Sequence, residues 1–214
     1  MPAYLIWQSY LLAGFCLLVA AWRAPWRKLA VSRFQHVFLG ACVATLVLWC
    51  VRANVAPGLD IHFLGVTTLT LMFGWPLALA ALAAVCLGVG LAGVQDWRAL
   101  GLSYVTQAVV PAALSWLVYR WADARLPRHV FIYLFICVFL GAALAMAAAS
   151  LGLGLILTGA RVEGVDRVFQ EYFGLLPLIA FPEGVMNGFV MTGLVALRPG
   201  WLCTFDDARY IKGK

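Results

Sequence analysis

The chain is short of charge. Charged residues make up 11% of its 214 positions, and only nine residues are acidic. A typical soluble domain carries about 25% charge, and one with 64% hydrophobic residues could not hide its apolar surface from water. The same figures exclude a disordered chain, a collagen-like repeat and a small disulfide scaffold.

Other absences narrow the chemistry. No GxxxxGK[ST] is present, so the chain is not expected to hydrolyse nucleotide itself. HExxH, histidines paired four apart and CxxCH are missing, which argues against an intramembrane zinc protease and a c-type haem protein. No apolar run carries repeated arginines, as a voltage sensor would. The six cysteines (Cys16, Cys42, Cys50, Cys86, Cys137 and Cys203) form no CxxC pair, and five lie in apolar runs. They read as small buried hydrophobes.

What the chain does have is long apolar runs, with a mean hydropathy of +0.95. At about 20 residues per crossing, its length allows at most about eight or nine spans and leaves no room for a soluble catalytic domain. The expected fold class is an all-α, polytopic membrane bundle forming a single transmembrane domain. Candidate spans cover residues 4–21, 36–51, 61–73, 76–93, 100–119, 130–159 and 173–197, with 198–214 as a short cytoplasmic tail. Breaks are expected at Gly74-Trp75-Pro76 and across Pro177 to Pro182, because proline lacks the amide donor and disfavours helix in the residue before it. Pro57-Gly58 should stop the second helix. The first run has no basic residues before it and four after it (Arg23, Arg27, Lys28, Arg33), the reverse of a cleavable signal peptide.

The net charge of +6 is a topology signal. If residues 61–73 cross, the inner loops hold eleven basic residues (Arg23, Arg27, Lys28, Arg33, Arg120, Arg125, Arg128, Arg198, Arg209, Lys212, Lys214). The outer loops then hold four: Arg52, Arg98, Arg161 and Arg167. If the segment re-enters instead, the split becomes 7 to 8. The positive-inside rule selects seven crossings, with the N-terminus outside, the C-terminus cytoplasmic and the acidic loop of Glu163, Asp166 and Glu171 outside. Trp22, Trp26, Trp97, Trp121 and Trp201 fall at span ends, as an aromatic belt requires.

Ionisable groups inside lipid mark function by default. Glu183 is the one acidic residue clearly within a span, and Asn187, four residues on, shares its helix face. Gly184 and Gly188 flank them and would admit another backbone closely. The scaffold alternative is that Glu183 only locks a kink at Pro182. His62 sits near the outer mouth of the third span and reads as an interfacial group or a ligand. Asp60, two residues earlier, suits the N-cap of that helix. Thr67, Thr68 and Thr70 suit back-bonding or contacts between helices more than substrate contact. Gln107, one turn before Pro111, is a candidate pocket amide, and His36 and His129 suit lipid headgroups beside basic loops. Gly141, Ala145 and Ala149, and less regularly Ala148, Gly152 and Ile156, form small-residue stripes for internal packing or for docking a membrane partner.

The stretch Gly58-Leu-Asp-Ile-His62-Phe-Leu-Gly65, the short polar-spotted helix after it, and Gly74-Trp-Pro76 before an alanine-rich span resemble a known family. They are similar to the cobalt/nickel-type permease components of energy-coupling factor ABC transporters. The resemblance covers roughly Gly58 to Arg120, and the last span more loosely. It implies a substrate-binding membrane subunit in the bacterial cytoplasmic membrane, working with a separate transmembrane coupling subunit and ATPase subunits. It also implies metal capture by an N-terminal Met-His pair together with the histidine that His62 matches. This chain instead begins Met1-Pro2-Ala3-Tyr4.

The resulting expectation is a membrane permease component, not an enzyme, for a divalent transition metal: cobalt, nickel or zinc. The ion would be substrate, with no tightly bound cofactor and no nucleic acid. His62 and Glu183 would ligate it, Asn187 would orient a ligand, and Asp60 and Gln107 would support them. One imidazole, a carboxylate and an amide suit a borderline ion. Two alternatives remain. A structural or assembly subunit would use Glu183 and the kinks only to shape the bundle. A membrane enzyme would use Glu183 and His62 as an acid/base pair, although no nucleophile accompanies them.

Overall fold

The structure, a computed structural model, describes residues 2–56, 59–160 and 174–210, with backbone alone at 53–56 and 59–61. Pro57-Gly58, the acidic loop of Glu163, Asp166 and Glu171, and Arg161, Arg167, Lys212 and Lys214 lie outside the described residues. The chain runs through helices α1 (Ala3–Arg23) and α2 (Ser32–Cys50) into an antiparallel hairpin, β1 (Ala53–Ala56) and β2 (Leu59–Ile61). There follow α3 (Val66–Phe73), α4 (Trp75–Leu91), α5 (Trp97–Arg125), α6 (Val130–Gly159), α7 (Leu176–Leu197) and the short α8 (Asp207–Tyr210). α5 and α6 each contain a π-helical stretch, at Tyr104–Val109 and Tyr133–Leu140.

Five helices, α1, α2, α5, α6 and α7, are long and apolar enough to cross a membrane, and α4 adds a shorter apolar one of 17 residues. α3 has eight residues, all buried. At ~1.5 Å per residue it spans only about 12 Å, short of a ~30 Å hydrocarbon core. The expected helix over 61–73 is therefore corrected: Ile61 is in β2, His62–Gly65 is irregular, and only Val66–Phe73 is helical.

The segment nevertheless runs the length of α2. At one end, Phe73 packs edge-on against Phe34 and Phe38, at 5.7 and 5.2 Å between ring centroids. At the other, Trp49 meets the His62 ring edge-on at 5.2 Å and donates to the Leu64 carbonyl at 2.8 Å. Further contacts place the remaining ends. The Tyr4 hydroxyl donates to the Ala160 carbonyl at 3.4 Å, the Tyr10 hydroxyl to Trp97, and Arg52 to Gln95 at 3.2 Å. Arg209 and Tyr210 reach Asp123 at the opposite end, at 3.6 and 3.4 Å. These contacts tie neighbouring elements together at both ends of the bundle. The chain is a polytopic helical membrane protein with one short extracore hairpin.

The break after α3 is where the sequence placed it. Gly74 has φ +80°, a conformation that side chains other than hydrogen rarely adopt, and Pro76 stands in the first turn of α4. The break expected at 177–182 is absent. α7 is continuous, with Pro177 in its first turn, where no amide hydrogen is needed, and Pro182 inside it. A proline removes one hydrogen bond of the helix, and packing of the remaining turns retains the rod.

Packing of the small residues is selective. Gly141, Ala145 and Ala149 are buried, and a Cβ at Gly141 would lie 3.7 Å from Val118 on α5. This stripe serves internal packing. Gly152 has nothing within 4 Å of an added Cβ. Gly184 does admit a close backbone, since its Cβ would stand 2.9 Å from the Phe139 carbonyl oxygen in the π-helical stretch of α6. Gly188 does not, having nothing within 4 Å. Gly184→Ala should therefore cost about 1–3 kcal/mol through overpacking, while Gly188→Ala should be neutral or slightly stabilising. Thermal unfolding of the two purified variants checks the contrast, and equal midpoints would refute it.

Candidate functional site

A buried helix end exposes amide or carbonyl groups that must find partners elsewhere, more so in lipid than in water. α3 has two such ends, and apart from the Gly74 amide, which donates to the Thr70 carbonyl at 2.9 Å, both draw partners from distant segments. At its start, Gly65 is the N-cap residue, with φ +63° and no side chain. The expectation that Asp60 caps this helix is corrected: Asp60 belongs to β2, six residues before Val66. Aspartate is a good cap only when it directly precedes the first turn.

The cap comes from α7. Glu183 Oε2 accepts from the Leu64 amide and Oε1 from the Gly65 amide, both at 2.9 Å. Asn187 Nδ2 donates to the same Oε1 and to the Glu183 carbonyl oxygen, each at 2.8 Å. Asn187 Oδ1 accepts from the Thr68 amide at 3.0 Å and the Thr68 hydroxyl at 2.7 Å. Glu183 is 1% exposed and Asn187 0%. The Glu183 carboxyl oxygens accept from three N–H donors.

At the far end, the Thr204 hydroxyl donates to the Leu71 carbonyl at 2.8 Å, and the Cys203 amide to the Met72 carbonyl at 3.0 Å. Thr204 in turn bonds the buried Tyr133 hydroxyl at 2.7 Å. α3 is thus an eight-residue helix held at both ends by segments over a hundred positions away. Along its length, Thr67 bonds Ser115 on α5 at 2.7 Å, and Thr70 back-bonds to Val66 at 2.8 Å.

His62 lies just ahead of this cap. It is buried, at 6% exposed, with its ring against Trp49, and its Nε2 has no hydrogen-bond partner among the described residues. A buried nitrogen left unpaired is unusual enough to need a reason. Nearby, the Arg52 guanidinium donates to the Trp49 carbonyl at 3.0 Å and to Gln95, which bonds the Ser103 hydroxyl. Of the residues singled out from sequence, the structure brings Glu183 and Asn187 together and sets both against the segment that begins at His62. Gln107 lies in the π-helical stretch of α5, with a buried Oε1 that has no partner among the described residues. Among the described residues, no three His, Cys, Asp or Glu side chains form a group that could hold a metal ion. His129 accepts from the Phe131 amide at 3.2 Å and caps α6, and His36 Nδ1 is 2.7 Å from the Ser32 carbonyl oxygen.

Three participants went unnoticed in the sequence. Trp49 looks like any apolar residue of a span, and Arg52 like any loop charge. Thr204 follows the last span with no signal that it folds back onto α3.

A comparison with curated proteins finds no match. The family described as cobalt uptake substrate-specific transmembrane region, CbiM, matches residues 1–201. That range takes in α1 to α7, the His62 loop and the Glu183 clamp. The chain belongs to the cobalt uptake substrate-specific transmembrane region family, a membrane component of cobalt transport.

Proposed function

We propose that the chain captures Co²⁺ at the end of the bundle marked by His62 and passes it through the membrane as part of an energy-coupling factor assembly. A separate coupling subunit and separate ATPases supply the energy. Ni²⁺ is the second candidate cargo, because imidazole nitrogen binds both ions and ranks Ni²⁺ slightly higher. The end rich in Arg23, Arg27, Lys28, Arg33, Arg125 and Arg198 faces the cytoplasm of a bacterial cell, and the His62 end faces outward.

The observation that carries this reading is the unpartnered Nε2 of buried His62. A neutral imidazole with a free nitrogen is the commonest protein donor for such ions. For further ligands the sequence offers Asp60, two residues earlier on β2, and Gln107 with its free Oε1. Glu183 has its oxygens occupied by amide donors, so ligation there would require the clamp to open.

Uptake of radioactive Co²⁺ should rise when cells produce this chain with the products of neighbouring genes, and should need ATPase activity. Purified protein should bind Co²⁺ or Ni²⁺ in a calorimetric titration. Absence of both uptake and binding would leave a structural subunit as the better reading.

A further inference from the structure

Glu183 and Asn187 sit on α7, yet their partners on other segments all belong to Leu64, Gly65 and Thr68. We propose that they are positioning residues for cation capture: they hold the backbone that carries His62 without touching the ion. The inference rests on the reading of His62 as a substrate ligand, and deepens it.

The segment His62–Gly65 has no helix or strand of its own. Its shape is held by side chains on both flanks. From α7, Glu183 takes the amides of Leu64 and Gly65. From α2, the Trp49 indole N–H takes the Leu64 carbonyl, and the same ring meets His62 edge-on. The loop is therefore a bridge between α2 and α7, and the imidazole stands at its head. Asn187 fixes the carboxylate by donating to Oε1, and locks it to the first turn of α3 through Thr68. Ligand geometry tolerates only about 0.5 Å of displacement. A loop without regular hydrogen bonding reaches that tolerance only if its polar groups are pinned from outside.

A glutamine at 183 is nearly the same shape, but one of its two oxygens is replaced by an NH₂ that faces an amide donor. One loop amide then loses its acceptor and the loop relaxes, while the rest of the packing stays. A merely structural clamp would show this as lost stability alone. The opposite cap of α3 supplies the comparison: Thr204→Val removes the hydroxyl bonded to Leu71 and Tyr133, far from His62.

The test is a calorimetric Co²⁺ titration of the full-length protein in detergent, with thermal midpoints measured on the same samples. His62→Ala should abolish binding. Glu183→Gln should weaken it about tenfold, equivalent to about 1.4 kcal/mol. Thr204→Val should lower the midpoint and leave the Co²⁺ affinity unchanged. Should Glu183→Gln not yield folded protein, Asn187→Asp keeps the acceptor for Thr68, loses the donor to Glu183, and should weaken binding in the same direction. Unchanged affinity in the folded Glu183 or Asn187 variant, or equal weakening by Thr204→Val, would overturn the inference while leaving His62 in place. Unchanged affinity in His62→Ala would overturn the ligand assignment itself, and the inference with it.

Discussion

Cells carrying His62→Ala should lose Co²⁺ uptake down to the level of cells without the protein, while the variant still accumulates in the membrane. The two halves of this expectation have different causes. Loss of uptake follows from removing a buried imidazole nitrogen that has no hydrogen-bond partner among the described residues. Persistence of the protein follows from the energetics of that same atom. A buried polar atom without a partner costs about 1–3 kcal/mol. Alanine removes that cost and leaves a cavity beside Trp49 in exchange. The opposing terms are of similar size, so folded yield should change little. Paired measurements of ion uptake and membrane abundance check this. Retained uptake would remove His62 from the transport path, and loss of the protein itself would make it a packing residue.

Glu183→Ala should give a large loss of stability. It deprives the Leu64 and Gly65 amides of their acceptor at once, in a site where the side chain is 1% exposed. Two buried amides left unpaired cost about 1–3 kcal/mol each, so about 2–6 kcal/mol in all. Folded proteins have about 5–15 kcal/mol in total, so the loss is a large share of it. Asn187→Ala should cost less, because it takes the acceptor from one backbone amide, Thr68, where Glu183→Ala takes it from two. The double variant should cost less than the two single losses added together, since Asn187 bonds Glu183 directly at 2.8 Å. Unfolding midpoints of the four proteins in detergent measure this, and strict additivity would mean that the two residues do not act as one clamp.

Much of this was legible in the residues. The scarcity of charge placed the chain in lipid, and five of its helices are long and apolar enough to cross a membrane. Glu183 announced itself as a carboxylate in an apolar run, and Asn187 as its neighbour on one helix face. The misreadings share a physical origin. Asp60 was matched to α3 as a cap because local rules look for caps next to the helix they serve. The real cap arrives from α7, about 120 residues later. The third span was read as a helix from residue 61 because apolar content does not reveal where helix begins. Gly65 begins it, turning with φ +63° so that the amides before it meet Glu183.

Hydropathy, charge placement and the Gly74-Pro76 signal depend on each residue's own preference for lipid, water or backbone conformation. Those preferences alone determined the membrane class and the break between α3 and α4. The partner of Glu183 was decided only in three dimensions. Its partners are backbone amides, which every residue possesses and no sequence pattern marks. Which amides lack a partner is known only once the helix ends are in place, and that is settled by packing α2, α3 and α7 together.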